Sequence, residues 1–242
     1  MLEIIGDSHL IALMDAANAV GPQRLASRHG PIRMAQLGHG YHFLEPFFTV
    51  DSAAVHFTHA DARRIFETIN DGDTGGIRAN DPRRFVFMFG FYPSYGFNAE
   101  HWTIHTAAPW VQDRLFVTKS AFNAVIDETL TQPLAFFKCL KERNVRFSVA
   151  SCCPAPASYH VLAKKTNFAD GEVAFIYNRF RDRMAGYLDE LGIPYHLPPA
   201  EIYDQDGAML DRFSKSPGDY HANLEYGIKM LAKILQETEL LD

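Results

Sequence analysis

The chain has 242 residues, 47% of them hydrophobic and 21% charged, with a net charge of −6 from 23 Lys and Arg against 29 Asp and Glu. This length and composition exclude a disulfide-stapled mini-protein and a disordered chain, and predict one globular domain over residues 1-242. The basic residues are scattered and outnumbered, so there is no electrostatic footprint for a nucleic-acid backbone and nucleic acid is excluded as a partner.

Three cysteines, Cys139, Cys152 and Cys153, form neither a C-x-x-C pair nor a disulfide framework, which fits a reducing, cytoplasmic setting. The opening Met1-Leu2-Glu3-Ile4-Ile5-Gly6 is acidic where a secretory leader would be basic. No apolar run reaches the roughly 18 residues of a membrane span, so the membrane is not an expected partner either. Nothing in the composition speaks to oligomeric state.

In chain order, Leu2 to Ile5 reads as a buried strand, followed by Gly6-Asp7-Ser8-His9 and a helical pattern of Leu10, Ile11, Leu13, Met14 and Ala17. Ile32 to Leu37 reads as a second strand. Residues 41-84 look rich in insertions, and Asp71 to Pro82, with Gly72, Gly75 and Gly76, reads as a surface loop. Phe85 to Phe89 is a third strand, followed over about 91-116 by a loop dense in aromatics, among them Phe91, Tyr92, Tyr95, Trp102 and Trp110. A helix from Phe122 to about Arg143 is expected in two pieces, because Pro133 lacks the amide hydrogen that would continue it.

Val145 to Ala150 is a fourth strand, after which Cys152 and Cys153 read as buried packing residues rather than nucleophiles. Val173, Ile176, Tyr177, Phe180, Met184, Tyr187, Leu188 and Leu191 recur at helical spacing up to Gly192 and Pro194. Ile193 to Leu197 is a weaker fifth strand. A last helix over Ala222 to Glu237 puts Leu224, Ile228, Leu231 and Leu235 inward and Lys229, Lys233 and Glu237 outward. Strands alternating with helices predict an α/β fold in which helices cover both faces of a mostly parallel five-stranded sheet.

Ser8 falls at the turn between the first strand and its helix, where glycine permits a tight bend and helix amides face any oxyanion that forms. The bland alternative is that Asp7 or Ser8 merely caps the helix. At the other end, His221 lies in Ser216-Pro217-Gly218-Asp219-Tyr220-His221-Ala222-Asn223, just before the last helix. A serine hydroxyl is a poor nucleophile until an imidazole takes its proton, so Ser8 and His221 form a candidate pair, with Asp219 able to hold the second ring nitrogen. For His221 the alternative is a solvated residue at a helix start, and for Asp219 an N-cap.

Gly6-Asp7-Ser8-His9 near one end and His221-Ala222-Asn223 with Gly227 near the other resemble the GDSL/SGNH hydrolase superfamily over nearly the whole chain. The resemblance implies a flavodoxin-like three-layer α/β/α sandwich with a serine nucleophile and the chain order serine, acid, histidine. It also implies an oxyanion hole built from the Ser8 amide, the amide of Gly38, and an asparagine after the third strand, for which Asn98 is the nearest candidate. Two positions depart from the pattern. Gly90-Phe91-Tyr92-Pro93 lacks the usual asparagine, and Gly218 stands three residues before His221 where the acid belongs. Either Asp219 serves from its shifted place or the enzyme works as a dyad with a carbonyl orienting the ring.

Asp7, His9, His39, Tyr92 and Tyr95 are the candidate substrate-binding residues, the tyrosines lining an acyl pocket or stacking on a sugar face. The spaced pairs His39/His42 and His56/His59 have no carboxylate or cysteine in a recognised ligand pattern, so neither a metal nor another cofactor is expected. The chemistry implied is hydrolysis of a small-molecule or saccharide acyl ester, with O-acetyl groups on carbohydrate as one substrate class. The alternatives are a carbohydrate O-acyltransferase using the same triad and a non-catalytic binding module on the same fold. A redox or nucleotide protein is disfavoured because the first strand's loop has no glycine-rich phosphate cradle.

Overall fold

The computed structural model describes residues 1–91, 100–156, 158–159 and 168–239. Its main sheet is built from β1 (Leu2–Gly6), β2 (Ile32–Gln36), β6 (Arg84–Met88), β9 (Arg146–Ala150) and β10 (Tyr195–His196), in the order β10-β9-β6-β1-β2. Every pairing in it is parallel. Counting only these five, the order is the flavodoxin-like 2-1-3-4-5, which reverses direction between β1 and β6. At such a switch point the two flanking loops diverge and leave a crevice at the carboxyl ends of the strands.

Parallel strands covered on both faces must be apolar on both, and successive side chains divide between the two layers. Ile5, Phe85, Phe87 and Val149 face the layer formed by α3 (Ala60–Ile69), α4 (Lys119–Glu142) and α5 (Glu172–Leu191). Ile4, Val86, Met88 and Ala150 face the layer of α1 (Ile11–Val20), α2 (Pro22–His29) and α6 (Leu224–Glu239). The first layer is dominated by phenylalanine, with Phe87, Phe89, Phe136 and Phe137 in mutual ring contact.

Four local expectations are revised. α4 is one continuous helix through Pro133 instead of two pieces. After the proline, Leu134, Phe136, Phe137 and Leu140 are all buried, each stabilising by about 1.5–3 kcal/mol against a proline penalty of about 3 kcal/mol. The inward face of α6 is rotated: Tyr226, Met230, Leu231, Ile234 and Leu235 are buried, while Leu224 and Ile228 are exposed. The stretch 71–82 is not wholly loop, because β5 (Ile77–Arg78) pairs with β4 (Ala54–Phe57), which pairs with β3 (Phe48–Val50) in a small antiparallel sheet. Within the aromatic stretch, β7 (His105–Thr106) and β8 (Leu115–Phe116) form a short parallel pair.

Two glycines set close approaches that the site depends on. A Cβ on Gly6 would stand 2.5 Å from the Met88 carbonyl oxygen, so β1 can end tightly against β6 only without one. A Cβ on Gly227 would stand 1.9 Å from the Ala12 carbonyl oxygen, so α6 lies directly on α1. On an open helix face glycine to alanine would stabilise by roughly 0.5–1 kcal/mol. Here the clash reverses the sign, and Gly227→Ala is expected to destabilise by about 2 kcal/mol. Urea denaturation of the variant beside wild type measures it, and a stabilised variant would contradict the close approach.

Candidate active site

Ser8 follows β1 as the first residue of a single helical turn, Ser8–Leu10, that runs into α1. Asp7 caps this turn, its Oδ1 accepting the His9 amide at 2.9 Å. Capping and nucleophile geometry therefore coexist in one motif. Asp7 fills the structural role, and the serine hydroxyl beside it is left to point outward.

The tail brings in the histidine through a turn whose residues are dictated by its geometry. The Asp219 amide donates to the Ser216 carbonyl at 3.0 Å, and Gly218 has φ of 75°. This is a type II turn with Pro217 and Gly218 at its centre, and its third position needs a left-handed residue. Glycine takes this position without strain, and the carboxylate stands one residue later. The two flanks of the turn then pair, with Lys215 N donating to His221 O at 2.8 Å and Ser214 bridging Ala222. Asn223 closes the loop as the cap of α6, its Oδ1 accepting the Tyr226 amide at 3.2 Å.

In the result, His221 Nε2 lies 3.2 Å from Ser8 Oγ, and His221 Nδ1 lies 3.0 Å from Asp219 Oδ1. The same carboxylate oxygen accepts the His221 backbone amide at 2.8 Å. The shifted Asp219 thus reaches the ring nitrogen remote from the serine, and no carbonyl is needed in its place. Both side chains are about one quarter exposed, 28% for His221 and 27% for Asp219, so the ring is open to a ligand.

Ser8 and His221 line a groove of about 520 Å³ with His9, Gln36, His39, Lys215 and Asn223 among its other walls. Gly38 lies between two of the wall residues, just past β2, where Gln36 Nε2 holds its carbonyl at 2.9 Å. A Cβ on Gly38 would stand 2.6 Å from His42 Nδ1, so glycine is required for the turn to fold over that ring. His42 Nδ1 accepts the His39 amide at 3.2 Å, and burial with His59 and His39 nearby holds its pKa below the usual histidine value. His42 stacks on His59 at 4.6 Å. Among the described residues, no group of three or more His, Cys, Asp or Glu side chains could hold a metal ion, and no helix is long and apolar enough to cross a membrane.

Not every expected site residue reaches the groove. Asp7 is fully buried and sits beneath it, so its expected contact with substrate is replaced by the cap on the His9 amide. His9 and His39 do line the groove. Tyr92, Tyr95 and Asn98 lie outside the described residues. Sequence reading missed Gln36, Lys215 and Asn223 as wall residues and missed the role of Cys153, whose thiol donates to the Tyr220 carbonyl at 2.9 Å. Position next to Gly38 or His221 was the available signal for the walls, whereas for Cys153 no local pattern existed.

Burial pushes the Asp7 carboxyl up to about 7, against the opposing hydrogen bond from the His9 amide. The folded chain therefore keeps a proton on Asp7 that the unfolded chain releases near the ordinary carboxylate value. Stability attributable to Asp7 is full below about pH 4 and falls as pH rises toward 7, by up to about 4 kcal/mol. Asp7→Asn is expected to remove this loss, so the stability of the variant minus that of wild type rises from pH 4 to 7. Denaturation curves across that range test it, and a difference that falls with rising pH would be the wrong sign.

No protein-family model matches the sequence, and no curated protein matches it. Solved structures do. A Bacteroides fragilis protein assigned provisionally as an acylhydrolase aligns over 99% of this chain and 86% of its own, with a TM-score of 0.54 at 13% identity. A GDSL-like lipase from Bacteroides thetaiotaomicron aligns over 100% of this chain and 88% of its own, with a TM-score of 0.50 at 12% identity. The chain thus has the α/β/α fold of SGNH hydrolase structures, built on a five-stranded parallel sheet flanked by helices.

Proposed function

We propose that this protein is a serine-dependent acyl-ester hydrolase working through an acyl-serine intermediate, with O-acetyl groups on carbohydrate among its substrates. The observation that carries the reading is the 3.2 Å contact between Ser8 Oγ and His221 Nε2, continued on the other side of the ring to Asp219. The polar walls of the groove, with Gln36, Lys215 and Asn223, suit a hydroxylated alcohol.

Ser8 Oγ attacks the ester carbonyl carbon while His221 Nε2 takes its proton. Asp219 holds the ring with Nε2 toward the serine and stabilises the imidazolium that forms. The oxyanion is received by the amides of Ser8 and Gly38, which lie in the turns after β1 and β2. Collapse expels the alcohol, which takes the proton from His221 and leaves the acyl group on Ser8. Water then attacks by the same steps in reverse and releases the carboxylic acid. A sugar hydroxyl in place of that water turns the second half into acyl transfer.

A fluorophosphonate probe should label Ser8 in the wild type and leave Ser8→Ala unlabelled. With a short aryl ester, His221→Ala should lower kcat by about 10⁴-fold and Asp219→Asn by roughly 10²- to 10⁴-fold, each with the fold retained. Equal rates for wild type and Ser8→Ala would refute the reading, and rates of both at the uncatalysed background would leave a non-catalytic binding module.

A further inference from the structure

Beside the triad lies a second connected set of groups that the steps above do not use. His9 Nδ1 is 3.2 Å from Cys153 Sγ, and that sulfur is 2.9 Å from the backbone carbonyl oxygen of Tyr220, the residue before His221. The His9 ring also lies against the His221 ring, with centroids 5.2 Å apart and planes 30° from parallel. It reaches the Tyr220 ring at 5.7 Å. His9 and Cys153 are both buried.

Counting protons fixes the direction of this chain. A carbonyl oxygen only accepts, so the single thiol hydrogen of Cys153 goes to Tyr220. The contact between sulfur and Nδ1 then needs a hydrogen from the imidazole, which makes His9 the Nδ1–H tautomer. Burial, with His221 adding to it, holds the His9 pKa well below the usual histidine value, so the ring is neutral. Burial likewise pushes the Cys153 thiol up, so it stays protonated and is no rival nucleophile.

We propose that His9 and Cys153 form a positioning clamp for His221, in which His9 Nδ1–H donates to Cys153 Sγ and Cys153 S–H donates to the Tyr220 carbonyl. The clamp rests on the acyl-serine reading for its purpose. Asp219 fixes the His221 ring only to its own loop, because its one oxygen holds both the ring and the backbone two residues on. The clamp ties that loop to the sheet, since Cys153 follows β9 and His9 is the neighbour of Ser8. The position of the base is thereby referred to the same turn that carries the nucleophile.

The test measures kcat, KM, melting temperature and histidine ¹⁵N spectra for wild type, Cys153→Ala, Cys153→Ser and His9→Phe, using a short aryl ester. Cys153→Ala should lower kcat about tenfold, because a displaced base costs rate, while KM and melting temperature hold. Cys153→Ser keeps a donor and should recover most of the rate. His9→Phe keeps a flat ring without the N–H and should fall between wild type and Cys153→Ala. In wild type the spectra should place the His9 proton on Nδ1. A wild-type rate in Cys153→Ala, no recovery in Cys153→Ser, or a His9 proton on Nε2 each overturns the clamp. If wild-type Ser8 resists the fluorophosphonate, the acyl-serine reading fails instead, and the ¹⁵N assignment still decides whether the clamp exists.

Discussion

The site depends on one contact, the packing of α6 on α1 at Gly227 and Ala12. Those two helices follow the two loops that carry His221 and Ser8, so their separation sets the distance between the imidazole and the hydroxyl across 213 positions of sequence. A side chain at 227 would force the helices apart. Because α1 starts directly from the β1 turn and α6 starts from the Asn223 cap, a shift of either helix moves the Ser8 hydroxyl or the His221 ring. Rigid elements holding a site in this way preorganise it more accurately than loops alone.

The tail loop shows how a backbone requirement relocates a chemical group. Pro217 and Gly218 complete a type II turn, whose left-handed third position favours glycine over a residue with a side chain. Asp219 takes the next place and still reaches His221 Nδ1 because its oxygen also accepts the His221 amide, which turns the ring back toward its own carboxylate. The flat ring of His9 covers one face of the His221 imidazole.

Where the local pattern decided the structure, the sequence was readable. β1, β2, β6 and β9 lie within one residue of their apolar runs, since strands buried on both faces need continuous hydrophobicity. α5 ends at Gly192, left-handed with φ of 59°, as its closing glycine implied. Distant packing decided the rest. β3, β4 and β5 are two to four residues long and take their register from one another. Pro133 is carried inside α4 by the phenylalanines after it, and packing on α1 turns the buried face of α6 so that Leu231 and Leu235 stay inward while Leu224 and Ile228 do not. In the candidate site, that the fold would bring Ser8, His221 and Asp219 within hydrogen-bond reach was legible from the two end motifs. Asp7 under the groove and the Cys153 bond to Tyr220 were not, because burial and a contact across 67 positions leave no local trace.

The electrostatics divide the motif after β1 by depth. Asp7 beneath the groove is pushed toward the neutral acid by burial, while Ser8 one residue on meets a solvent-open imidazole. The proposed reaction passes through a covalent intermediate on that serine. Rapid-quench peptide mass spectrometry during turnover of an acetyl ester measures it. The account predicts the mass of one acetyl group on the peptide containing Ser8, formed in a burst and discharged by water. An acetyl group on any other residue, or turnover with no adduct when the quench precedes deacylation, would contradict it.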